Sequence, residues 1–123
     1  MRDYQELLVW QRAHALTLRV YEFTRTFPGE EHFGITSQVR RAVSSVAANI
    51  AEGCGRSGDT ELARFLSIAL GSLAETTYFL LLARDLDYLP HDDHDTLNRE
   101  ATEVRRMLIA FHRRLRPLES GEL

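Results

Sequence analysis

Hydrophobic residues recur along most of the chain at alternating steps of three and four, a spacing that places them on one face of an α-helix. Glycine or proline separates four such segments, which predict helices over about residues 4–27, 35–53, 60–87 and 91–116. The steps average about 3.5 residues and the connections are short, which favours shallow crossing angles and antiparallel sequence neighbours. We therefore predict an all-α fold, an up-down antiparallel four-helix bundle that forms one domain over residues 1–123.

The third predicted helix is apolar on two faces at once. In a four-helix monomer each helix keeps a solvent-facing side, so the second apolar face predicts contact with another copy of the chain. The alternative is a central helix that long neighbouring side chains cover. The candidate interface residues of this homo-oligomer are Phe65, Ile68, Ser72, Phe79 and Leu82.

The apolar third helix does not predict a membrane span. Glu75 divides it into uncharged runs of residues 65–74 and 76–83, and both are too short to cross a bilayer. The N-terminus carries Asp3 and Glu6 without an apolar signal segment, and the single cysteine, Cys54, suits a reducing compartment. We expect a cytoplasmic protein without a membrane partner.

The charges are unevenly distributed. All 15 basic residues are arginines, the 18 acidic residues outnumber them, and the net charge of −3 argues against non-specific coating of nucleic acid. A local basic surface is nevertheless predicted on the fourth helix, since Arg99, Arg106 and Arg113 recur every seven residues along one edge. The alternative is a solvated face whose arginines complement the helix dipole. The candidate RNA- or DNA-binding residues are Arg99, Arg105, Arg106, Arg113, Arg114 and Arg116.

A second polar set surrounds the second predicted helix. Asn49 lies beside the apolar face of that helix and needs a hydrogen-bonding partner there. We predict a structural network that joins it to Arg40 or Arg41, and the alternative is the rim of a binding site. The full set is Arg40, Arg41, Asn49, Glu52 and Arg56.

Catalytic and metal-binding motifs are sparse. His91 and His94 are three residues apart within an acidic segment, which suggests either a zinc or nickel site or a helix N-terminus that favours acids. The second interpretation is preferred because no cysteine or further histidine accompanies the pair. The Glu-x-x-His motif of di-iron bundles and the phosphate-binding loop are absent from the sequence. We expect no cofactor, no small-molecule substrate and no enzymatic activity, with a metal-dependent enzyme as the remote alternative.

Several segments together carry a family resemblance. They are Leu8-x-Trp10-Gln11, Phe27-Pro28, Glu31-x-Phe33-Gly34, Gln38-Val39-Arg40-Arg41, Asn49-Ile50-Ala51-Glu52-Gly53, Gly55-Arg56 and Gly71-Ser72-Leu73-x-Glu75. Over residues 4–89 the chain resembles the four-helix bundle family named after proteins encoded in 23S ribosomal RNA intervening sequences.

The resemblance implies an up-down bundle that assembles as a ring of five subunits. A related bundle, the accessory protein of diversity-generating retroelements, forms a pentameric barrel and binds nucleic acid alongside a reverse transcriptase. The implied function is a non-enzymatic, homo-oligomeric scaffold or nucleic-acid-associated accessory protein. The alternative is a protein–protein interaction module without nucleic acid. Asn49, Glu52 and Arg56 match motif positions without an assigned role, and no catalytic residues carry over.

Overall fold

A computed structural model describes residues 2–115, and the chain folds over that range into four α-helices and two single 3₁₀ turns, with no β-strand. The all-α prediction is confirmed. The helices are α1 (Leu8–Thr24), α2 (Ile35–Cys54), α3 (Asp59–Asp85) and α4 (His91–Leu115), and the 3₁₀ turns are Tyr4–Glu6 and Gly29–Glu31.

The first helix is shorter than predicted at both ends. Asp3 caps the 3₁₀ turn by accepting a hydrogen bond from the Gln5 amide at 3.0 Å. Leu7 then adopts an extended backbone, so α1 begins only at the next residue. At the other end the amides of residues 25–27 bond carbonyls three positions back, which tightens the chain into a turn.

The helices run up and down, with each packed antiparallel to its sequence neighbours. Two contacts between α1 and α2 show this direction: the Thr17 hydroxyl donates to the Val43 carbonyl at 3.2 Å, whereas Thr24, later in α1, accepts from Arg40, earlier in α2, at 2.8 Å. α2 and α4 each pack against both α1 and α3, whereas the backbones of α1 and α3 do not approach each other closely in the described chain. α1 and α3 therefore occupy opposite corners of the bundle.

The core is a continuous aliphatic cluster in which α2 and α3 share the most extensive contact. Three buried threonines, Thr17, Thr24 and Thr76, bond backbone carbonyls of their own helices, as Thr76 does with Ser72 at 2.8 Å, so their hydroxyls carry little burial penalty. Buried leucines and isoleucine form its centre: Leu16, Ile50, Leu66, Leu73, Leu80, Leu89, Leu97 and Leu108.

Two glycines shape the connection between α2 and α3. A Cβ atom at Gly53 would lie 2.9 Å from both the Leu62 Cδ1 and the Phe65 Cβ atoms, so the absent side chain permits close approach of the two helices. Gly58 precedes α3 with φ of 85°, a left-handed conformation that favours glycine. The short turn therefore depends on small residues at both positions.

At the opposite end of the bundle, Glu31 joins the two remaining connections. Its Oε2 atom accepts a hydrogen bond from the Tyr88 hydroxyl at 3.0 Å, and its Oε1 atom accepts one from the Ile35 amide at 3.4 Å. The Tyr88 ring also packs on Phe27, with centroids 5.8 Å apart. The hydrogen bond to Glu31, and to a lesser extent burial, raises the pKa of Tyr88.

We predict that Tyr88→Phe lowers the melting temperature by a few degrees, because it removes a hydrogen bond to a charged acceptor. Tyr4→Phe is the matched control, since the Tyr4 hydroxyl makes no hydrogen bond in the described structure, and it should leave the melting temperature unchanged. Because folding raises the pKa of Tyr88, the stabilisation from its hydrogen bond is complete below the usual tyrosine pKa of about 10. It is lost as the pH rises through the higher pKa of Tyr88 in the folded chain. Equal melting temperatures for the two variants would contradict the assignment.

Candidate functional site: the outer surfaces of the bundle

The outward side of α3 is apolar along most of its length. Ile68, Tyr78 and Leu81 are 41%, 57% and 38% exposed, and Gly71 and Ala74 are exposed between them. We call these five residues the α3 outer face. Their spacing of three and four residues keeps them on one side of the helix. Glu75 is exposed in the same stretch and lines a polar depression beside α2, so the row is apolar apart from one acidic side chain at its edge. A largely apolar row of this kind is typical of an interaction surface.

The predicted interface lies partly inside the chain. Phe65 is only 6% exposed, because Gly53 makes room for its ring and two guanidinium groups cover it. Arg56 and Arg64 lie 5.1 and 4.6 Å from the ring centroid. Phe65 is therefore unavailable to a second copy, which corrects the predicted set.

Of the other predicted interface residues, only Ile68 is exposed. Ser72, Phe79 and Leu82 are half-buried, and both Phe79 and Leu82 pack against the chain's own core. The apolar side chains that do face outward, Tyr78 and Leu81, each precede one of these residues. A shift of one position turns the side chain by about 100° around the helix.

The composition of α3 reflects these two apolar sides. By length and composition the helix would be long and apolar enough to cross a membrane, yet only 33% of its most apolar window is buried in the chain. α2 and α4 cover one side of it. The high overall apolar content of α3 therefore fits a helix whose inner side packs in the bundle core and whose outer side is also apolar. The absence of a membrane partner stays a prediction.

The predicted arginine residues of α4 reach solvent. Arg99, Arg105, Arg106 and Arg113 are exposed, and we call these four residues the α4 arginine face. Glu100 turns towards α1, where it pairs with Arg19 at 3.3 Å.

The one described acidic side chain paired on the α4 arginine face is Glu103, 3.7 Å from Arg106. Arg114 is also exposed but stacks over Phe111 at 5.5 Å. Arg116 lies outside the described residues. The surface therefore offers several guanidinium groups suited to phosphate oxygens.

Hydrogen bonds divide the predicted polar set of α2. The Arg40 guanidinium donates to the Thr24 hydroxyl at 2.8 Å and to the Tyr21 carbonyl at 3.3 Å, and it lies 4.7 Å from the centre of the Tyr21 ring. Asn49 instead donates to the carbonyl and hydroxyl oxygens of Ser45, at 2.7 and 3.0 Å. The expected link between Asn49 and an arginine is therefore replaced by a link within α2.

The remaining members of this set also have local partners. Arg56 pairs with Glu52 one turn earlier at 2.7 Å. Whereas Arg40 contacts α1, Arg41 lines a polar depression of about 260 Å³ with Gln38, Ser45 and Glu75. These contacts show local structural links and no single binding rim.

The histidine pair does not form a metal centre in the described chain. His91 is exposed whereas His94 is buried, and no group of three or more His, Cys, Asp or Glu residues converges within residues 2–115. The His94 Nδ1 atom is buried without a hydrogen bond, 3.8 Å from the Asp95 carboxylate. The two rings therefore point to different environments.

A serine–histidine contact joins α3 to α4, with Ser67 Oγ and His112 Nε2 3.1 Å apart. Both residues lie within helices, whose backbone N–H groups already bond carbonyls and so offer no oxyanion site. No acidic side chain orients His112 among the described residues. Sequence reasoning missed the Ser67–His112 contact because 45 positions separate its members.

Burial raises the pKa of the Cys54 thiol, which disfavours the reactive thiolate.

Comparison with known proteins identifies the family of the chain and a solved structure of the same architecture. A sequence profile of the family described as "23S rRNA-intervening sequence protein" matches residues 5–110. The chain belongs to this family. A solved structure with the same architecture comes from Bacteroides thetaiotaomicron and is described as a protein of unknown function from the S23 ribosomal protein family. It superposes with a TM-score of 0.77 and 25% identity, over 85% of this chain and 98% of that one. No curated protein matches the sequence.

The segments that indicate the intervening-sequence family are mostly structural in this chain. Glu31 joins two connections, Gly53 permits helix approach, and Arg40 attaches α2 to α1. A Cβ atom at Gly34 would overlap the Glu31 carboxylate, so that glycine preserves the Glu31 position. Phe33 is the most exposed large hydrophobic residue of these segments, because its side chain is 90% exposed whereas that of Leu8 is 54% exposed.

We predict that Arg40→Ala lowers the free energy of unfolding by about 1–2 kcal/mol, since it removes two hydrogen bonds and a cation–π contact between α1 and α2. Arg41→Ala is the matched control on the adjacent residue and should change stability by no more than about 0.5 kcal/mol. Urea denaturation at neutral pH measures both. A larger loss for Arg41→Ala would contradict the structural role of Arg40.

Proposed function

We propose that this intervening-sequence protein is a non-enzymatic, ring-like homo-oligomer that presents the α4 arginine face to nucleic acid. The observation that carries the proposal is the α3 outer face, whose exposed apolar side chains need a covering partner. A second copy of the chain is the simplest partner, because every copy presents the same surface.

The opposite corners of the bundle favour a ring. α1 lies diagonally across from α3, and its Leu8 and Leu18 side chains are 54% and 57% exposed. A chain with apolar surfaces on two opposite sides suits a heterologous contact, in which α3 of one copy packs on α1 of the next. Such contacts generate a ring when the rotation between neighbours closes. Five is the subunit number that the family resemblance implies.

The α4 arginine face supplies the proposed nucleic-acid contact. Arg99, Arg106 and Arg113 follow one edge of α4 with a rise of about 10 Å between successive residues. One such row offers only a few phosphate contacts, and the net charge of −3 opposes binding elsewhere on the chain. A ring repeats the row in each subunit, so weak contacts add through multivalency. This dependence on assembly connects the α3 outer face to the proposed activity.

For the assembly, we predict that Ile68→Arg yields folded single chains. The substituted side chain is accommodated in the monomer because Ile68 is 41% exposed, but an arginine buried without a partner between copies costs several kcal/mol. We expect the dissociation constant to rise more than about a hundredfold. Light scattering after size exclusion gives the mass, and circular dichroism checks that the helices persist.

Ala48→Arg serves as the control for Ile68→Arg, since Ala48 is exposed on α2 outside the proposed contact. This variant should keep the wild-type mass. An unchanged mass for a folded Ile68→Arg chain would exclude the α3 outer face as the interface.

For nucleic acid, we predict binding to a structured RNA at low salt that weakens steeply as salt increases. Arg106→Glu should weaken binding to all RNA sequences and reduce the salt slope by about 0.7 to 0.9 for each lost phosphate contact. Arg25→Glu changes the charge equally at the other end of the bundle and should bind almost as the wild type does. Fluorescence anisotropy over a salt series measures these affinities. Absence of binding at low salt would leave the protein-interaction module as the better description.

A further inference from the structure

Phe33 protrudes from the connection between α1 and α2. Its side chain is 90% exposed, and its ring packs edge-on against the His32 ring with centroids 4.7 Å apart. Glu31 is fixed two residues earlier by Tyr88, and α2 begins two residues later, so the short segment that carries Phe33 is held at both ends. The result is an aromatic side chain on a supported projection. One exposed aromatic is ordinary by itself, and its significance comes from a cavity elsewhere on the chain.

A cavity of matching character lies at the other end of the bundle. Its volume is about 460 Å³, and it opens between the start of α1 and the end of α4. Because a cavity of roughly 150 Å³ accepts a benzene ring, this volume is ample for a phenylalanine side chain. The apolar lining residues are Leu7, Leu8, Val9, Met107, Ala110 and Leu115.

Charged groups at the rim of the cavity add a second element of complementarity. The guanidinium groups of Arg2 and Arg114 lie 5.7 and 5.5 Å from the centroid of the Phe111 ring. Arg2 also pairs with the rim residue Asp59 at 3.5 Å, whereas Arg114 has no acidic partner in the described chain. A ring that enters the cavity would thus meet apolar side chains on one side and a polar rim that includes Arg114 on the other.

The end that carries Phe33 has the opposite charge. Glu30 is exposed close to it, and the connection between α3 and α4 opens at the same end. Residues 85–95 contain five aspartates and no arginine. The acidic end of one copy therefore complements the rim arginines of another.

Phe33 and the cavity of the same chain are too far apart to meet, so a Phe33 side chain in the cavity must come from a second copy. α2 has 20 residues and extends about 30 Å, and Phe33 precedes its first turn whereas the cavity lies at its far end. We propose that Phe33 of one copy seats in this cavity of another, so that chains join end to end. The two surfaces differ and lie at opposite ends, so the contact is heterologous and leads to linear growth. It uses neither the α3 outer face nor the α4 arginine face, and it shares only Leu8 with the α1 surface of the proposed ring contact, so it goes beyond the proposed function.

The test measures mass against protein concentration at low salt by sedimentation velocity. The wild type should grow to larger species as concentration rises, and added salt should reverse that growth because it screens the charge complementarity. Phe33→Ala and Ala110→Trp, which fills the cavity at an exposed position, should each abolish growth, whereas Phe33→Tyr should retain it. Failure of the wild type to grow, or growth of Phe33→Ala like the wild type, would overturn the proposal.

Mixing the two defective variants tests the pairing itself. Phe33→Ala keeps the cavity and Ala110→Trp keeps the aromatic side chain, so each mixed pair makes one contact and then stops. We expect capped one-to-one complexes in the mixture and none in either variant alone. Growth of Ala110→Trp by itself, or no pairing in the mixture, would refute the cavity as the partner of Phe33. The mass of the smallest species in each sample tests the proposed ring independently of end-to-end growth, because both variants retain the α3 outer face.

Discussion

The burial of α3 is the constraint on which the rest of the structure depends. Its inner side packs against α2 and α4, and the closest approach occurs where Gly53 leaves room for Leu62 and Phe65. That packing uses one apolar side of the helix and leaves Ile68, Tyr78 and Leu81 outside. A helix in a closed four-helix bundle normally presents a polar outer side to water. The apolar outer side of α3 is therefore the strongest physical argument for assembly.

The up-down topology also separates the charges. It brings the start of α1 and the end of α4 to one end of the bundle, and the acidic connection before α4 to the other. Arg105, Arg106, Arg113 and Arg114 of α4 then lie towards the end that carries Arg2, while the five aspartates of residues 85–95 lie opposite. Helix dipoles favour the same arrangement within α4, whose acids are near its start and whose arginines are near its end. A net charge of −3 thus conceals a strongly acidic end and an opposite end of mixed charge.

The sequence was sufficient for the helices and their antiparallel packing, because periodicity and punctuation are local signals. It was insufficient for the orientation of α3, since two neighbouring apolar rows suit a core equally well. Phe65 turned inward because Gly53 makes room for it and two arginines cover it, a combination of residues from the end of α2, the turn after it and the start of α3. The contacts Glu31–Tyr88 and Ser67–His112 join residues 57 and 45 positions apart, and no local pattern reports such pairs.

The molar mass of the unmodified chain in solution, measured by light scattering over a range of concentrations, tests the central claim most directly. The account predicts a stable multiple of 14.1 kDa at the lowest concentrations measured, with five subunits as the expected number. A well-folded species of 14.1 kDa that persists as concentration rises would show that water tolerates the outer side of α3, and would contradict the account.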